Sequence, residues 1–247
     1  MLAVIDRSVA RSPEGLTTND SGGMDGESIL KHFISTKTGP VNISLGVPGD
    51  LAYSTENKNP LLPKLFGVVN GIFCLFQGSL ENIPQLKQQY GLGKTADEAF
   101  IVIEAYKTLR DRGPYPADQV IRGLGGKFAF VLFDTSCKAI FVALDADGSV
   151  PFYWGTGSEN HLVFCNDVEV VKKGCGKSFA PFPKGFFFTN SKGLQSFEHP
   201  TKEVKAVPRV DSEGQICGST YTVDVDTKKK SPNIPRVGSE ANWSSQY

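Results

Sequence analysis

Cysteines and histidines are the first side chains to consider in this sequence for nucleophilic or metal-binding chemistry. The cysteines are widely spaced, form no C-x-x-C pair and therefore argue against both a disulfide framework and a zinc site. The histidines are isolated from one another, and no Gly-x-Ser-x-Gly motif accompanies them. We predict no metal site and no cofactor, and we interpret most of the cysteines as buried thiols in strands. These residues are Cys74, Cys137, Cys165, Cys175 and Cys217, with His32, His161 and His199.

Two glycine-containing motifs resemble ligand-binding loops without completing them. Gly174–Ser178 reads GCGKS, but Val171 occupies the position where a phosphate-binding loop requires its first glycine. We therefore interpret this segment as a loop at the end of a strand. Asp145–Gly148 begins like a calcium-binding loop, but Val150 occupies the glycine position and no glutamate closes the loop. We predict a simple turn there.

The stretch from Gly123 to Gly155 predicts the centre of a sheet. It contains two dense apolar strands, Lys127–Phe133 and Ala139–Leu144, which a polar turn connects. A glycine turn then leads into a third, aromatic strand. Because side chains alternate across a pleat, such apolar runs indicate strands that are buried on one or both faces.

The strongest local signals elsewhere are one hairpin and one helix. Asn70-Gly71 lies between the apolar runs Phe66–Val69 and Ile72–Phe76, a spacing that predicts a tight β-hairpin. The spacing of apolar residues predicts a helix over Thr95–Arg112, with Thr95 and Glu98 as a capping box and Gly113-Pro114 as the stop. Weaker signals predict two further helices, Glu27–Ser35 with Asp25 as its N-cap and Pro116–Arg122. They also predict loops at Ser12–Gly26 and Ser54–Pro63. The remaining predicted strands are Leu2–Ile5, Asn42–Val47, His161–Cys165, Gly185–Thr189, Gly193–Glu198 and Ile216–Val225.

Composition bounds the class of protein. The chain has 247 residues, of which 40% are hydrophobic, and its 26 basic residues balance 26 acidic ones. Such a chain can bury a substantial core, and its neutral charge argues against a nucleic-acid partner. We predict one domain over residues 1–227 and a polar, disordered tail over residues 228–247. Consecutive hairpin-like pairs favour an α+β fold with antiparallel sheets and helices outside them.

The distribution of charge bears on localisation. Acidic and basic residues occur by position 7, so no signal-peptide core is predicted, and no apolar run is long enough for a transmembrane segment. We expect a protein of the cytoplasm, the nucleus or both, and association with the periphery of a membrane stays open.

Several motifs between Val68 and Thr189 occur in a characteristic order. They are Phe76–Asn82, Leu124–Phe130 followed by Asp134, Ala143–Gly155, Phe164–Asp167 and Pro183–Gly185. This series resembles class II glutamine amidotransferase domains, such as the N-terminal half of asparagine synthetase. The resemblance implies a four-layer αββα sandwich of the N-terminal nucleophile hydrolase type.

Two further motifs narrow the resemblance and extend it over the whole chain. Tyr90-Gly91-Leu92 and Leu109-Arg110-Asp111-Arg112 are similar to the YGL and LRDR motifs of the plant aluminium-induced proteins. That resemblance implies a plant protein that responds to stress or hormones.

The resemblance also implies a catalytic apparatus that this sequence lacks. In the amidotransferases an N-terminal cysteine attacks the glutamine side chain, with its own α-amino group as the base. Here Leu2 stands at the nucleophile position and has no reactive atom. No arginine within Leu51–Asn59 is available to bind the substrate carboxylate. We therefore predict no glutaminase activity and assign no catalytic residue.

The rest of the pocket is implied only as a remnant. Gln77 replaces the asparagine of the oxyanion hole, Gly78 keeps a backbone N–H for a ligand oxygen, and Ser79 replaces a glutamate. The substrate-binding aspartate aligns with Ala96, one residue before Asp97. Since one residue turns a helical side chain by about 100°, Asp97 belongs to this remnant pocket but does not replace the aspartate without a shift of the helix.

We favour a non-catalytic amidotransferase-like protein that acts in stress or hormone responses through binding or self-assembly, as a homodimer by analogy with the fold. Two alternatives stay open. One is an amidohydrolase with a rearranged pocket around Gln77, Gly78 and Asp97. The other is a sensor of an amino-acid-like small molecule that keeps the pocket without the chemistry.

Overall fold

The computed structural model describes residues 1–18, 22–55, 66–111, 117–212 and 214–228. The helices are α1 (Gly26–Thr36), α2 (Ile83–Tyr90), α3 (Glu98–Asp111), α4 (Ala117–Arg122) and α5 (Val168–Cys175). The strands are β1 (Leu2–Ile5), β2 (Pro40–Ser44), β3 (Gly49–Ser54), β4 (Phe66–Val69), β5 (Ile72–Leu80), β6 (Gly126–Asp134), β7 (Ala139–Leu144), β8 (Tyr153–Thr156), β9 (Leu162–Cys165), β10 (Phe179–Pro181), β11 (Phe186–Thr189), β12 (Gly193–Ser196), β13 (Lys202–Val210) and β14 (Ile216–Lys228).

Two antiparallel sheets contain most of these strands. Within the described residues, the first sheet has the order β10-β8-β9-β1-β3-β2 and the second has the order β12-β11-β7-β6-β5-β4. A large apolar cluster with members from both sheets, including Phe164 and Phe133, fills the space between them. The sheets therefore stack face to face, as apolar inner faces require.

A helical layer covers the outer face of each sheet. Residues of α1 and α5 pack with the outward residues of β1, β3 and β9. Residues of α2, α3 and α4 pack with the outward residues of β5, β6 and β7. These layers form the predicted α+β, four-layer αββα sandwich.

The hairpin of β13 and β14 closes one side of the sandwich. Its Tyr221 ring packs edge-on against Trp154 in the core, with ring centroids 5.4 Å apart, and its hydroxyl donates to the carbonyl of Glu14 at 2.9 Å. Arg209 donates to the carbonyl of Phe179 in the edge strand β10 at 2.9 Å. The hairpin therefore fastens the loop after β1 and the β10 edge together.

Most of the predicted elements are confirmed within one to four residues at each end. The Asn70-Gly71 hairpin joins β4 to β5, and Asn70 adopts the positive φ that such a turn demands. The central strands β6 and β7 lie where the stretch from Gly123 predicts them. Asp25 caps α1 as predicted, because its carboxylate accepts the backbone N–H of Ser28 at 2.9 Å.

Three local predictions were wrong. Helix α3 begins at Glu98 instead of Thr95, because Asp97 accepts the N–H of Phe100 at 2.9 Å and replaces the predicted capping box. Gly174 and Cys175 end helix α5 instead of forming a loop after a strand. The strand predicted at Asn42–Val47 is β2, which ends at Ser44 because Gly46–Gly49 form the turn of a hairpin with β3.

Five described elements, β3, α2, α5, β10 and β13, were not predicted at all. Arg112, the Gly113-Pro114 stop, most of the Ser54–Pro63 loop and the tail beyond Lys228 lie outside the described residues.

Candidate functional site

Strand β1, which the resemblance associates with catalysis, lies in the middle of the first sheet. It pairs with β9 on one side and with β3 on the other. Met1, Ala3 and Ile5 face the second sheet, whereas Leu2 and Val4 face helices α1 and α5. Leu2 is fully buried. Its isobutyl group therefore belongs to the hydrocarbon layer beneath the helices.

A thiol lies directly across from Leu2, although sequence reasoning did not associate the two. Cys165 of β9 is paired with Leu2 and belongs to the same buried cluster. Burial raises the pKa of Cys165 to about 11, against smaller opposing effects of nearby positive charge and of the Asp167 N–H, which donates to the sulfur at 3.4 Å. Only cross-strand register, which a sequence does not display, could have identified this neighbour.

Polar contacts also hold the start of β1 in place. The α-amino group of Met1 donates to Asn166 Oδ1 at 2.7 Å, and burial lowers the pKa of this amine. Lys37 pairs with Asp167 at 2.6 Å beside it. These contacts fasten α1, β1 and the start of α5 to one another.

Gln77 and Gly78 lie near the end of β5 in the second sheet. Gln77 is paired with Ala129, whose side chain lies in the core between the sheets, so Gln77 faces that core as well. Its Oε1 is buried and has no hydrogen-bond partner. Gly78 has a φ of +115°, and a Cβ at this position would clash with the carbonyl of Lys127. The backbone at Gly78 thus requires glycine.

Asp97 lies on the opposite face of the second sheet from Gln77, whereas Ser79 lies two residues beyond Gln77 on β5. Ser79 is exposed. Asp97 caps α3 on the outer face of the second sheet, where its charge helps burial to raise the pKa of Cys74. Gln77 and Gly78 therefore lie side by side on β5. Leu2 lies beneath the helices of the first sheet, whereas Asp97 lies in the helical layer of the second sheet.

A polar cluster around Asp134, which the sequence did not single out, contains part of the LRDR motif. The Asp134 carboxylate is fully buried and accepts hydrogen bonds from Tyr106 Oη and Arg110 Nη1, both at 3.0 Å, and from the Ser136 hydroxyl at 2.6 Å. Burial alone would raise the pKa of Asp134, but these hydrogen bonds outweigh it and hold the pKa at about 2. Arg110 also pairs with the exposed Asp111.

The YGL motif is the end of helix α2. Gly91 has a left-handed backbone, its N–H bonds to the carbonyl of Gln88, and the N–H of Leu92 bonds to the carbonyl of Lys87. These two bonds define a Schellman motif, which satisfies the last carbonyls of a helix. Tyr90 and Leu92 pack against the core between α2, α3 and the second sheet. Both motifs therefore stabilise the second helical layer.

The described part of the chain contains neither a metal-binding cluster nor a membrane-spanning helix. No three His, Cys, Asp or Glu side chains within it are placed to hold a metal ion. None of its helices combines the length and the apolar character needed to span a membrane. The turn at Asp145 is a turn as predicted, since its carboxylate accepts the N–H groups of Asp147 and Ser149.

Comparison with known proteins first gives a family. A family model described as "Aluminium induced protein" matches residues 2–223. The chain is 42% identical over 148 residues to the stem-specific protein TSJT1 of Nicotiana tabacum, which covers 58% of this chain and 99% of that protein. It is 29% identical over 105 residues to the glutamine-hydrolysing asparagine synthetase 3 of Arabidopsis thaliana, covering 42% of this chain and 18% of that protein. The match thus spans about a fifth of the synthetase.

Comparison of structures gives the fold. The glutamine phosphoribosylpyrophosphate amidotransferase of B. subtilis superposes with a TM-score of 0.50 and 16% identity, covering 79% of this chain and 48% of that chain. At this identity the likeness shows the fold alone, and it confirms the predicted amidotransferase-type sandwich.

Proposed function

The chain belongs to the aluminium-induced protein family, and from this membership we propose that it uses an amidotransferase fold for binding or self-assembly in plant stress and hormone responses, without catalysis. The chain would thus keep the amidotransferase fold without the glutamine hydrolysis of the asparagine synthetases. One fold can support many functions, so the function must be inferred from the residues of the site.

The side chain at position 2 carries the proposal. The resemblance assigns the nucleophilic cysteine to this position, whereas Leu2 offers only carbon atoms. Leu2 is also fully buried beneath α1 and α5, where substrate would have to displace a helix to reach it. A buried leucine contributes about 2 kcal/mol to folding, so the residue has a structural role that explains its presence.

The neighbouring thiol does not replace the missing nucleophile. Cys165 is fully buried, and with its pKa near 11 it is a thiolate in only about one molecule in ten thousand at neutral pH. Burial raises the pKa of Cys74 and Cys175 as well. The buried thiols of the described chain therefore support a structural interpretation.

A second candidate function rests on Gln77. Its Oε1 is a buried acceptor without a partner, facing the space between the sheets beside the special backbone of Gly78. Since a buried acceptor without a donor costs about 1–3 kcal/mol, a ligand N–H at this point would be stabilised. The candidate ligand is an amino-acid-like carboxamide, and the function would be that of a sensor.

A thermal-shift experiment tests this second candidate. We expect glutamine or asparagine to raise the melting temperature of the unmodified chain and to leave a Gln77→Met variant unchanged. If neither amino acid shifts the unmodified chain, the sensor is rejected.

Self-assembly is the other proposed mode of action, as a homodimer. Among the described strands, β2 and β4 form neighbouring edges of the two sheets, and neither contains a charged residue. Edges of monomeric proteins are commonly protected by charges, so an uncharged edge favours pairing with a second copy. Val68 of β4 is 51% exposed and lies on that edge.

Glutaminase assays on the unmodified chain and on a Leu2→Cys variant test the main proposal. We expect no glutamate release by either, because the cysteine would be buried on the helix side, away from Gln77. Circular dichroism must first show that the variant folds, since it loses part of the leucine's burial energy. Activity gained only by the variant would support the pocket at Gln77, whereas activity of the unmodified chain would overturn the proposal.

A further inference from the structure

A loop that follows β1 places a serine beside two exposed arginines. Residues 11–13 read Arg-Ser-Pro and have no regular secondary structure. Ser12 is half-buried, and its hydroxyl shares a hydrogen bond of 2.8 Å with the hydroxyl of Thr156, which is fully buried. This bond helps to dock the loop on strand β8.

A basic cavity of about 310 Å³ lies on the other side of Ser12. Arg7, Arg11 and Ser12 line it together with the β11–β12 turn. Both arginines are exposed, and neither forms an ion pair or a hydrogen bond within the described chain. The cavity therefore offers unpaired positive charge next to a hydroxyl.

The nearby carboxylates do not line this cavity, although the charges of Asp6 and Arg7 interact. Asp6 and Glu14 are absent from its lining. The Asp6 carboxylate accepts the N–H of Ser8 at 2.8 Å, and its other oxygen lies 3.5 Å from His161 Nε2. A dianion placed in the cavity would thus meet two arginines and no carboxylate among the lining residues, which favours charge-assisted bonds.

We propose that Ser12 is a phosphorylation site and that its phosphate docks in the cavity formed by Arg7 and Arg11. A proline-directed protein kinase would read Ser12-Pro13 and use ATP. The Ser12 oxygen forms a bond to the γ-phosphorus, the bond to the bridging oxygen breaks, ADP leaves, and the hydroxyl proton passes to the kinase.

Phosphorylation would move Ser12 from one partner to another. The dianion cannot stay against Thr156, because a charged group at a fully buried hydroxyl would lose its hydration. Thr17, which also contacts the Thr156 hydroxyl at 3.2 Å, would remain docked. The loop thus gains a charge-dependent position while its far end stays fixed. This inference is independent of the proposed function.

Phosphorylation of the folded full-length chain tests the first half of the proposal. We expect a proline-directed kinase with ATP to add one phosphate, which fragmentation mass spectrometry maps to Ser12 and which a Ser12→Ala variant lacks. Absence of phosphate at Ser12 in the folded chain would overturn the proposal.

Phosphorus NMR of the phosphorylated chain tests the second half. The second ionisation of a free phosphoserine lies near pH 6, and paired arginines lower it. We expect the phosphoserine of the phosphorylated wild-type chain to titrate at least about half a pH unit below that of the phosphorylated Arg7→Gln/Arg11→Gln variant, and the phosphorylated Lys94→Gln variant to titrate like the wild-type chain. Coincident titration curves would show that the phosphate does not dock there and would also overturn the proposal.

Discussion

At the residue scale, Arg110 links a family motif to a buried charge. Its guanidinium pairs with the fully buried Asp134 and the exposed Asp111. The motif is visible in the sequence, but the pairing of Arg110 with one buried and one exposed carboxylate is not. Asp134 precedes a turn and therefore looks like a surface residue. Burial and partners are set by how α3 packs on the second sheet.

Removal of Arg110 should leave the carboxylate of Asp134 with a weakened set of partners. We expect Arg110→Ala to reduce the free energy of unfolding by about 2 kcal/mol, since Tyr106 and Ser136 still donate to Asp134. Urea denaturation measures the change. Asp111→Asn removes the exposed half of the same arrangement and should change stability by less than about 0.5 kcal/mol. Equal effects of both variants would contradict the assignment.

The lowered pKa of Asp134 predicts a pH dependence of known sign. A folded pKa of about 2, below the unfolded value of about 3.9, means that the stabilisation is complete above about pH 4 and is lost as the pH falls towards 2. We therefore expect the stability difference between the unmodified chain and Asp134→Asn to shrink over this window. Urea midpoints at pH 6, 4 and 2.5 measure it, and a constant difference would disprove the coupling.

At the scale of elements, turn and cap residues predicted the positions of helices and strands better than residue propensities did. Asn70-Gly71 and Asp25 set their elements because positive φ and an N-cap carboxylate act locally. Helix α2 escaped prediction because it is short and mostly polar, and only Ile83, Leu86 and Tyr90 pack against the core. Strand β13 alternates between half-buried and exposed residues, and its partner β14 decides its register.

The end of helix α2 gives a direct test at this scale. Gly91 has a φ of +66° and open space around its missing Cβ, so only backbone strain opposes a side chain. We expect Gly91→Ala to lower the free energy of unfolding by about 1 kcal/mol. Gly93→Ala is a matched control, because Gly93 also has open space but no positive φ. Indistinguishable melting temperatures for the two variants would refute the cap.

At the scale of the whole molecule, the two sides of the sandwich differ. The β13–β14 hairpin covers the side of β10 and β12. On the other side, the half-buried rings of Tyr53 and Phe66 stack at 5.4 Å beside the edges of β2 and β4. The layer order followed from the motif series in the sequence, whereas this asymmetry depends on contacts between distant segments and could not be predicted.

The same limit applied to the candidate site. The sequence identified Leu2, Gln77 and Gly78, because single positions in motifs are visible along a chain. It did not reveal that Leu2 and Gln77 lie on different faces, or that Cys165 pairs with Leu2. Strand alternation within two separate sheets determines those relations.

The uncharged edge of β4 predicts how copies of the chain associate. We expect the unmodified chain to sediment as a concentration-dependent dimer and Val68→Lys to sediment as a monomer, because a lysine on an edge strand opposes pairing. Val47→Lys is the control, since Val47 is 82% exposed but lies in a turn. Circular dichroism should be the same for all three. A monomer at every concentration, or a dimer that both variants retain, would contradict the proposed edge.

The most direct test of the central claim is glutamine hydrolysis by the unmodified, purified chain. Glutamate release is measured beside a buffer blank and beside a glutamine-hydrolysing asparagine synthetase as the positive control. Because Leu2 is buried at the position where the resemblance implies the nucleophile, we predict a rate equal to the blank under conditions in which the synthetase turns over. Glutamate release above the blank that scales with the concentration of the chain would show that this fold still carries a nucleophile, and it would contradict the account.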